Sequence, residues 1–180
     1  MDILNERYQS WTKAVNIIYL MPMQLTQYTD YSLRVLLYLG LFPERRCTIT
    51  EIADAYLINR NHLVKVVHNL SLDGWITTTR GKSGGMVLAF RPEQINIGSV
   101  IQRTEPHMNL LECFDHECNT CPITSACILK HGLYKARKAF TDVLCSYTLA
   151  DVLVQPESLI ALLDSTRSSA TTQAIVTTAD

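Results

Sequence analysis

Apolar residues recur with helical spacing near the start of the chain. Leu33, Leu36, Leu37 and Gly40 fall at i, i+3, i+4 and i+7, which predicts a helix from Asp30 to Leu41 with Thr29 as its N-cap. Thr48 and Glu51 form a capping-box pattern ahead of Ile52 and Ala53, so a short helix is expected from Ile49 to about Tyr56. Asn59 is the expected cap of a third helix. Leu63, Val66, Val67 and Leu70 make its inner face, and Gly74 is its natural stop. Arg60, Asn61, His62, Lys65 and Asn69 are assigned to the opposite surface.

Two short β runs follow, Trp75-Ile76-Thr77-Thr78-Thr79 and Met86-Val87-Leu88-Ala89-Phe90, around the loop Arg80-Gly81-Lys82-Ser83-Gly84-Gly85. Two such runs around a glycine loop predict a hairpin. Three helices and a hairpin in that order make a winged helix-turn-helix, with Leu57-Ile58-Asn59 as the turn. A short helix is expected over Ile97 to Glu105 and a long one over Thr124 to Tyr147. In the long helix Leu129, Leu133, Ala136, Phe140, Val143 and Tyr147 alternate by four and three residues, a heptad seam. The seam could pack on its own domain. Its regularity favours pairing with a second copy, because a helix gains most of its stability from packing. The expected fold class is mostly α with a small β-hairpin. Its parts are an N-terminal extension (1–22), a winged helix-turn-helix domain (23–95), a cysteine loop with a dimerisation helix (96–154) and a polar, disordered tail (155–180).

Charge sharpens the picture. The 180 residues carry a net charge of −1 and are 47% hydrophobic, enough for one core plus an attached element. Bulk charge therefore excludes a general polyanion binder. Yet Arg60, Lys65, Arg80, Lys82 and Arg91 face Asp73 alone between Ile58 and Pro92, a local +4. That patch coincides with the third helix and the glycine loop, which predicts double-stranded DNA as partner. Asn61, His62 and Lys65 would reach base edges while Arg60 meets phosphate. Arg80 and Lys82, with Ser83 and Gly84, would meet the sugar–phosphate backbone. No catalytic constellation, phosphate loop or nucleotide fingerprint is present, so the chain is not expected to be an enzyme. No apolar run is long enough to cross a membrane. Early Asp2 and Glu6 and the lack of a small-residue cleavage site argue against a secretory signal, so a cytoplasmic protein is expected.

Four of the six cysteines fall within fifteen residues, as Cys113-x4-Cys118-x2-Cys121-x5-Cys127. Cytoplasmic disulfides are rare. Soft thiolates hold iron–sulfur or zinc centres instead. Zinc ribbons use two separated CxxC pairs, and only one is present, so a cluster suits the loop better and zinc stays the alternative. Cys47 and Cys145 stand alone and are read as small hydrophobes. His131, four residues after Cys127, is close enough to note.

Five stretches together carry a family resemblance: Met23-Gln24-Leu25-Thr26-Gln27-Tyr28-Thr29-Asp30-Tyr31, Asn59-Arg60-Asn61-His62-Leu63-Val64-Lys65, the Arg80–Gly85 loop, Cys121-Pro122-Ile123-Thr124-Ser125-Ala126-Cys127 and Tyr147-Thr148-Leu149-Ala150-Asp151-Val152-Leu153. From Met23 to about Val154 the chain resembles the winged-helix iron–sulfur transcription repressors. The resemblance implies a homodimer on an inverted-repeat operator. It implies a cluster, [4Fe–4S] ahead of [2Fe–2S], held by Cys113, Cys121 and Cys127, with Cys118 an extra thiol or alternative ligand. In the nitric-oxide-sensing branch it implies a fourth ligand from the partner subunit's first helix, which maps to Asp30, with Arg34 holding that carboxylate. Nitric oxide would then attack the cluster and release DNA. The cluster-biogenesis branch has a histidine three residues after the last cysteine, and here that residue is Lys130, which favours the nitric-oxide branch. The rival readings are a cluster-status, redox or iron regulator of the same fold, and a zinc-stabilised or electron-transfer protein. The basic winged segment disfavours the last class.

Overall fold

The computed structural model describes residues 24–115 and 117–165. Helix α1 spans Gln27–Leu41 and begins three residues before the apolar repeat predicts. Its cap is Thr26, whose hydroxyl oxygen accepts from the Thr29 amide at 3.3 Å. The cause lies far along the chain. The Glu105 carboxylate accepts from the Thr26 amide at 2.7 Å and from its hydroxyl at 3.0 Å. Thr29, the expected cap, is instead buried and donates its hydroxyl to Thr104 at 2.9 Å.

Helix α2, Ile49–Tyr56, carries the predicted capping box of Thr48 and Glu51. Leu57 then enters the left-handed region at φ 53°, ψ 41°, which turns the chain toward α3, Arg60–Leu72. The Asn59 side chain caps α3 by accepting from the Asn61 amide at 2.9 Å. Beyond Asp73, Gly74 sits at φ +80°, a conformation L side chains rarely adopt, and α3 stops. Strands β1 (Ile76–Thr79) and β2 (Gly85–Leu88) pair antiparallel, Ile76 opposite Leu88 and Thr79 opposite Gly85. Cys47 adds a bridge to Met86, with backbone bonds of 3.0 and 2.8 Å, and so ties the hairpin to the start of α2.

Helix α4 spans Ile97–Thr104. The cysteine loop follows, and then α5, Ile128–Cys145, shorter at both ends than the predicted Thr124–Tyr147. At its start Thr124 is held in a turn by its bond to the Cys121 carbonyl at 2.8 Å. At its end the Tyr147 carbonyl accepts from the Ile97 amide at 2.9 Å, which draws the chain back to the winged domain. One core collects Leu36 and Leu39 of α1, Ile52 of α2, Leu63 and Leu70 of α3, Ile76, Met86, Ile95, Val100 and Ile101 of α4, and Leu149. It thus draws on residues either side of position 95. Residues 156–165 form a further helix, α6, and Leu163 packs on the core. The start of the expected disordered tail is thus helical, and Leu159 and Leu163 line a cavity with Leu37 and Leu41 of α1. The rest of that tail and the N-terminal extension lie outside the described residues. Among the described residues no helix is long and apolar enough to cross a membrane.

Candidate nucleic-acid interface and cysteine loop

Helix α3 presents two different surfaces. Leu63, Val66, Val67 and Leu70 are buried. Arg60, Asn61, Val64, Lys65 and His68 are exposed on the side away from them. Arg60 is steadied from α2, its Nε donating to the Thr50 hydroxyl at 3.2 Å. His62 is exposed as well and Asn69 half-buried, on the part of that surface nearest α1. There they line an open groove of about 400 Å³ with Gln27, Tyr28, Tyr31 and the sides of Asn61 and Lys65. The His62 ring stacks on Tyr31, centroids 6.1 Å apart and planes 23° apart. Val64 and His68 were missed by the sequence reading. A full helical projection of 60–72 would have found them, since they fall between Arg60 and Lys65 in angle.

The hairpin carries the remaining predicted residues at its tip, where Arg80, Lys82 and Ser83 are exposed. Gly84 is required by close approach. A Cβ there would collide with the carbonyl oxygens of Thr79 and Gly81, and its amide donates to Gly81 at 2.9 Å. A polar cluster ties α1 to α2. The Tyr38 hydroxyl donates to Glu51 at 2.9 Å, and Arg45 pairs with the same carboxylate. Burial, with the Glu51 carboxylate beside it, pushes the Tyr38 hydroxyl up to about 12. Burial likewise pushes the Cys47 thiol up to about 11, against the pull of Arg45, so Cys47 stays a neutral core residue.

Asp30 and Arg34 are one turn apart on α1 and form a two-pronged ion pair, 3.0 and 2.8 Å. The Arg34 guanidinium also lies 5.9 Å from the Tyr31 ring and 5.7 Å from the Tyr56 ring, so it is held in place.

The cysteine loop is organised by its own polar residues. Glu112 accepts from both the amide and the hydroxyl of Thr120, the latter at 2.6 Å, which joins the flanks of Cys113 and Cys121. These bonds hold the Glu112 carboxyl below the usual range. Arg137 of α5 lies 4.8 Å from the Phe114 ring, beside Cys113. Cys127 caps α5, its Sγ accepting from the Lys130 amide at 3.4 Å, a place where the helix dipole favours negative charge. Cys113, Cys118, Cys121 and Cys127 are all free thiols. Among the described residues, however, no three His, Cys, Asp or Glu side chains gather closely enough to hold a metal ion. The loop thus supplies soft donors of the right kind without bringing Cys113, Cys121 and Cys127 into one cage.

A family model described as Rrf2, iron-dependent transcriptional regulator, matches residues 25–155. The HTH-type transcriptional regulator NsrR of Shouchella clausii is 49% identical over 142 residues, covering 78% of this chain and 95% of that protein. The regulator of the same name from Bacillus subtilis is 46% identical, covering 78% and 97%. Among solved structures, CymR, the global cysteine regulator of B. subtilis, aligns with a TM-score of 0.61 at 23% identity, covering 73% of this chain and 96% of that one. T. potens IscR aligns with a TM-score of 0.58 at 23% identity, covering 74% and 88%. At these identities the two structures bear on the fold alone, and they agree with the predicted mostly helical, winged architecture.

Proposed function

Because the chain belongs to the Rrf2 family of iron-dependent transcriptional regulators, we propose that it is a homodimeric repressor whose hold on DNA is released by nitric oxide through an iron–sulfur cluster. As a transcriptional regulator it is not an enzyme. The observation that carries the reading is the exposed face of α3, with Arg60, Asn61 and Lys65 grouped opposite the core at a capped helix start. The first residues of such a helix reach base edges in the major groove. The exposed cations Arg80 and Lys82 extend that footprint to the phosphates, where neutralisation makes affinity salt-dependent.

Dimerisation is supported by the α5 seam. Leu129 is 66% exposed, Val143 58% and Phe140 42%, and no residue of α5 is buried. A row of apolar residues on one line is what a partner covers. A pair of such chains implies an inverted-repeat operator with half-sites about one DNA turn apart.

The donor set suits iron–sulfur chemistry: Cys113, Cys121 and Cys127 would supply thiolates and Asp30 of the partner subunit a carboxylate, with [4Fe–4S] favoured. A cluster held there would supply iron at which nitric oxide binds. The response then lies in the chain's own residues. Asp30, steadied by Arg34, would meet iron in the loaded dimer and lose that contact once the cluster breaks down. This difference in contact is what a two-state switch needs. Asp30 stands on α1, beside Tyr31 and its stack on His62 of α3, so its release bears on the DNA-reading helix.

Replacement of Cys113, Cys121 or Cys127 by Ala should give colourless protein after anaerobic isolation, while Cys118→Ala keeps the colour. Loss of colour in Cys118→Ala would overturn the three-thiol assignment.

A further inference from the structure

We propose that Val64 reads thymine, packing its side chain against the C5-methyl group of that base in the major groove. The inference rests on the reading of α3 as the helix that enters DNA. Val64 is the exposed apolar residue in the first two turns of α3, the turns that would enter the groove; Leu72, also exposed, stands at the far end of the helix. Arg60 lies one turn before Val64, His68 one turn after it, and Asn61 and Lys65 beside it. It is 42% exposed and outside the core formed by the helix's other side. Neither packing nor helix preference accounts for it, because valine is a poorer helix former than alanine or the long polar residues. A single exposed apolar residue is ordinary on a protein surface. Here it stands beside Arg60 on the exposed surface that also carries Asn61 and Lys65, and the two cations draw that surface onto an anionic duplex.

Chemistry then selects the ligand. Thymine is the one base that offers a methyl group in the major groove, and apolar contact is how that group is read. A β-branched side chain suits the task. Valine in a helix holds one χ1 rotamer, so its methyl groups point in a fixed direction and little freedom is lost on contact. Asn61 can donate to or accept from neighbouring base edges, and Lys65 can donate to them. Together they would give a half-site with a required thymine next to hydrogen-bonded bases.

The test uses the full-length protein, isolated anaerobically, and a duplex it selects from a random-sequence pool. Each thymine is replaced in turn by deoxyuridine, which removes the methyl group and nothing else. At one thymine per half-site, wild-type affinity should fall about fourfold, the size expected for one methyl group kept from water. In Val64→Ala, an exposed change that keeps the helix, the same replacement should cost nothing. A wild-type protein indifferent to deoxyuridine at every position overturns the proposal, as does a penalty that persists in Val64→Ala; in both cases the DNA-binding reading stands. Failure to select any sequence overturns that reading, and the proposal with it.

Discussion

Arg34 grips Asp30 along one edge of its guanidinium, Nε 3.0 Å from Oδ1 and Nη2 2.8 Å from Oδ2. Two-pronged pairs fix geometry more than they add stability when half exposed. Arg34→Ala is therefore expected to change unfolding free energy by no more than about 0.5 kcal/mol in a denaturant titration. It should nevertheless alter the nitric oxide sensitivity of anaerobically isolated protein, as Asp30→Ala should. A large stability loss, or an unchanged response in both variants, would remove the pair from the switch.

Acid should weaken the fold through Glu51. Burial alone would raise its carboxyl, but Arg45, Tyr38 and the Thr48 amide outweigh burial and lower it. A carboxyl lowered on folding stabilises fully above its unfolded value, about pH 4.3, and the gain is lost as pH falls through the folded value. Glu51→Gln should be less stable at pH 7 by about 1 kcal/mol and show a shallower acid decline. Parallel declines of both proteins in urea titrations across pH 3–7 would contradict this.

Leu57 is the non-glycine residue at positive φ among the described residues, φ 53°, and it is 63% exposed. A left-handed L residue costs roughly 1–2 kcal/mol, and glycine's extra freedom when unfolded costs roughly half of that. Leu57→Gly should thus raise stability by about 0.5–1 kcal/mol, read by thermal or urea unfolding. A clear loss would mean that the Leu57 side chain has a stabilising contact.

Phe140→Asp would place a charge in the middle of the α5 seam. If the seam is the dimer interface, the cost is several kcal/mol by order of magnitude, and sedimentation should give monomer. A variant that stays dimeric would discredit the seam.

Much of the fold was legible because its signals are local. The Thr48–Glu51 box, the Asn59 cap and the Gly74 stop each depend on residues within a turn of one another, and all three stand as predicted. The start of α1 was misread because Glu105, 79 residues away, selects Thr26 over Thr29. The helix at 156–165 was missed because Leu163 finds its apolar neighbours in a core built from residues far earlier in the chain. In the candidate site, the exposed polar residues of α3 were legible, and two further residues of that surface were not. His62 stacks on Tyr31, while Val64 and His68 join the open face. The cysteine spacing put four thiols on one loop, and among the described residues no three His, Cys, Asp or Glu side chains gather into one cage.

The most direct test follows absorbance and DNA affinity on one sample. Full-length protein is isolated anaerobically, bound to a duplex it has selected, and titrated with nitric oxide. Tight binding by coloured protein, lost in step with the bleaching of the cluster absorbance, is the predicted result. Full affinity retained after the absorbance has gone would contradict it.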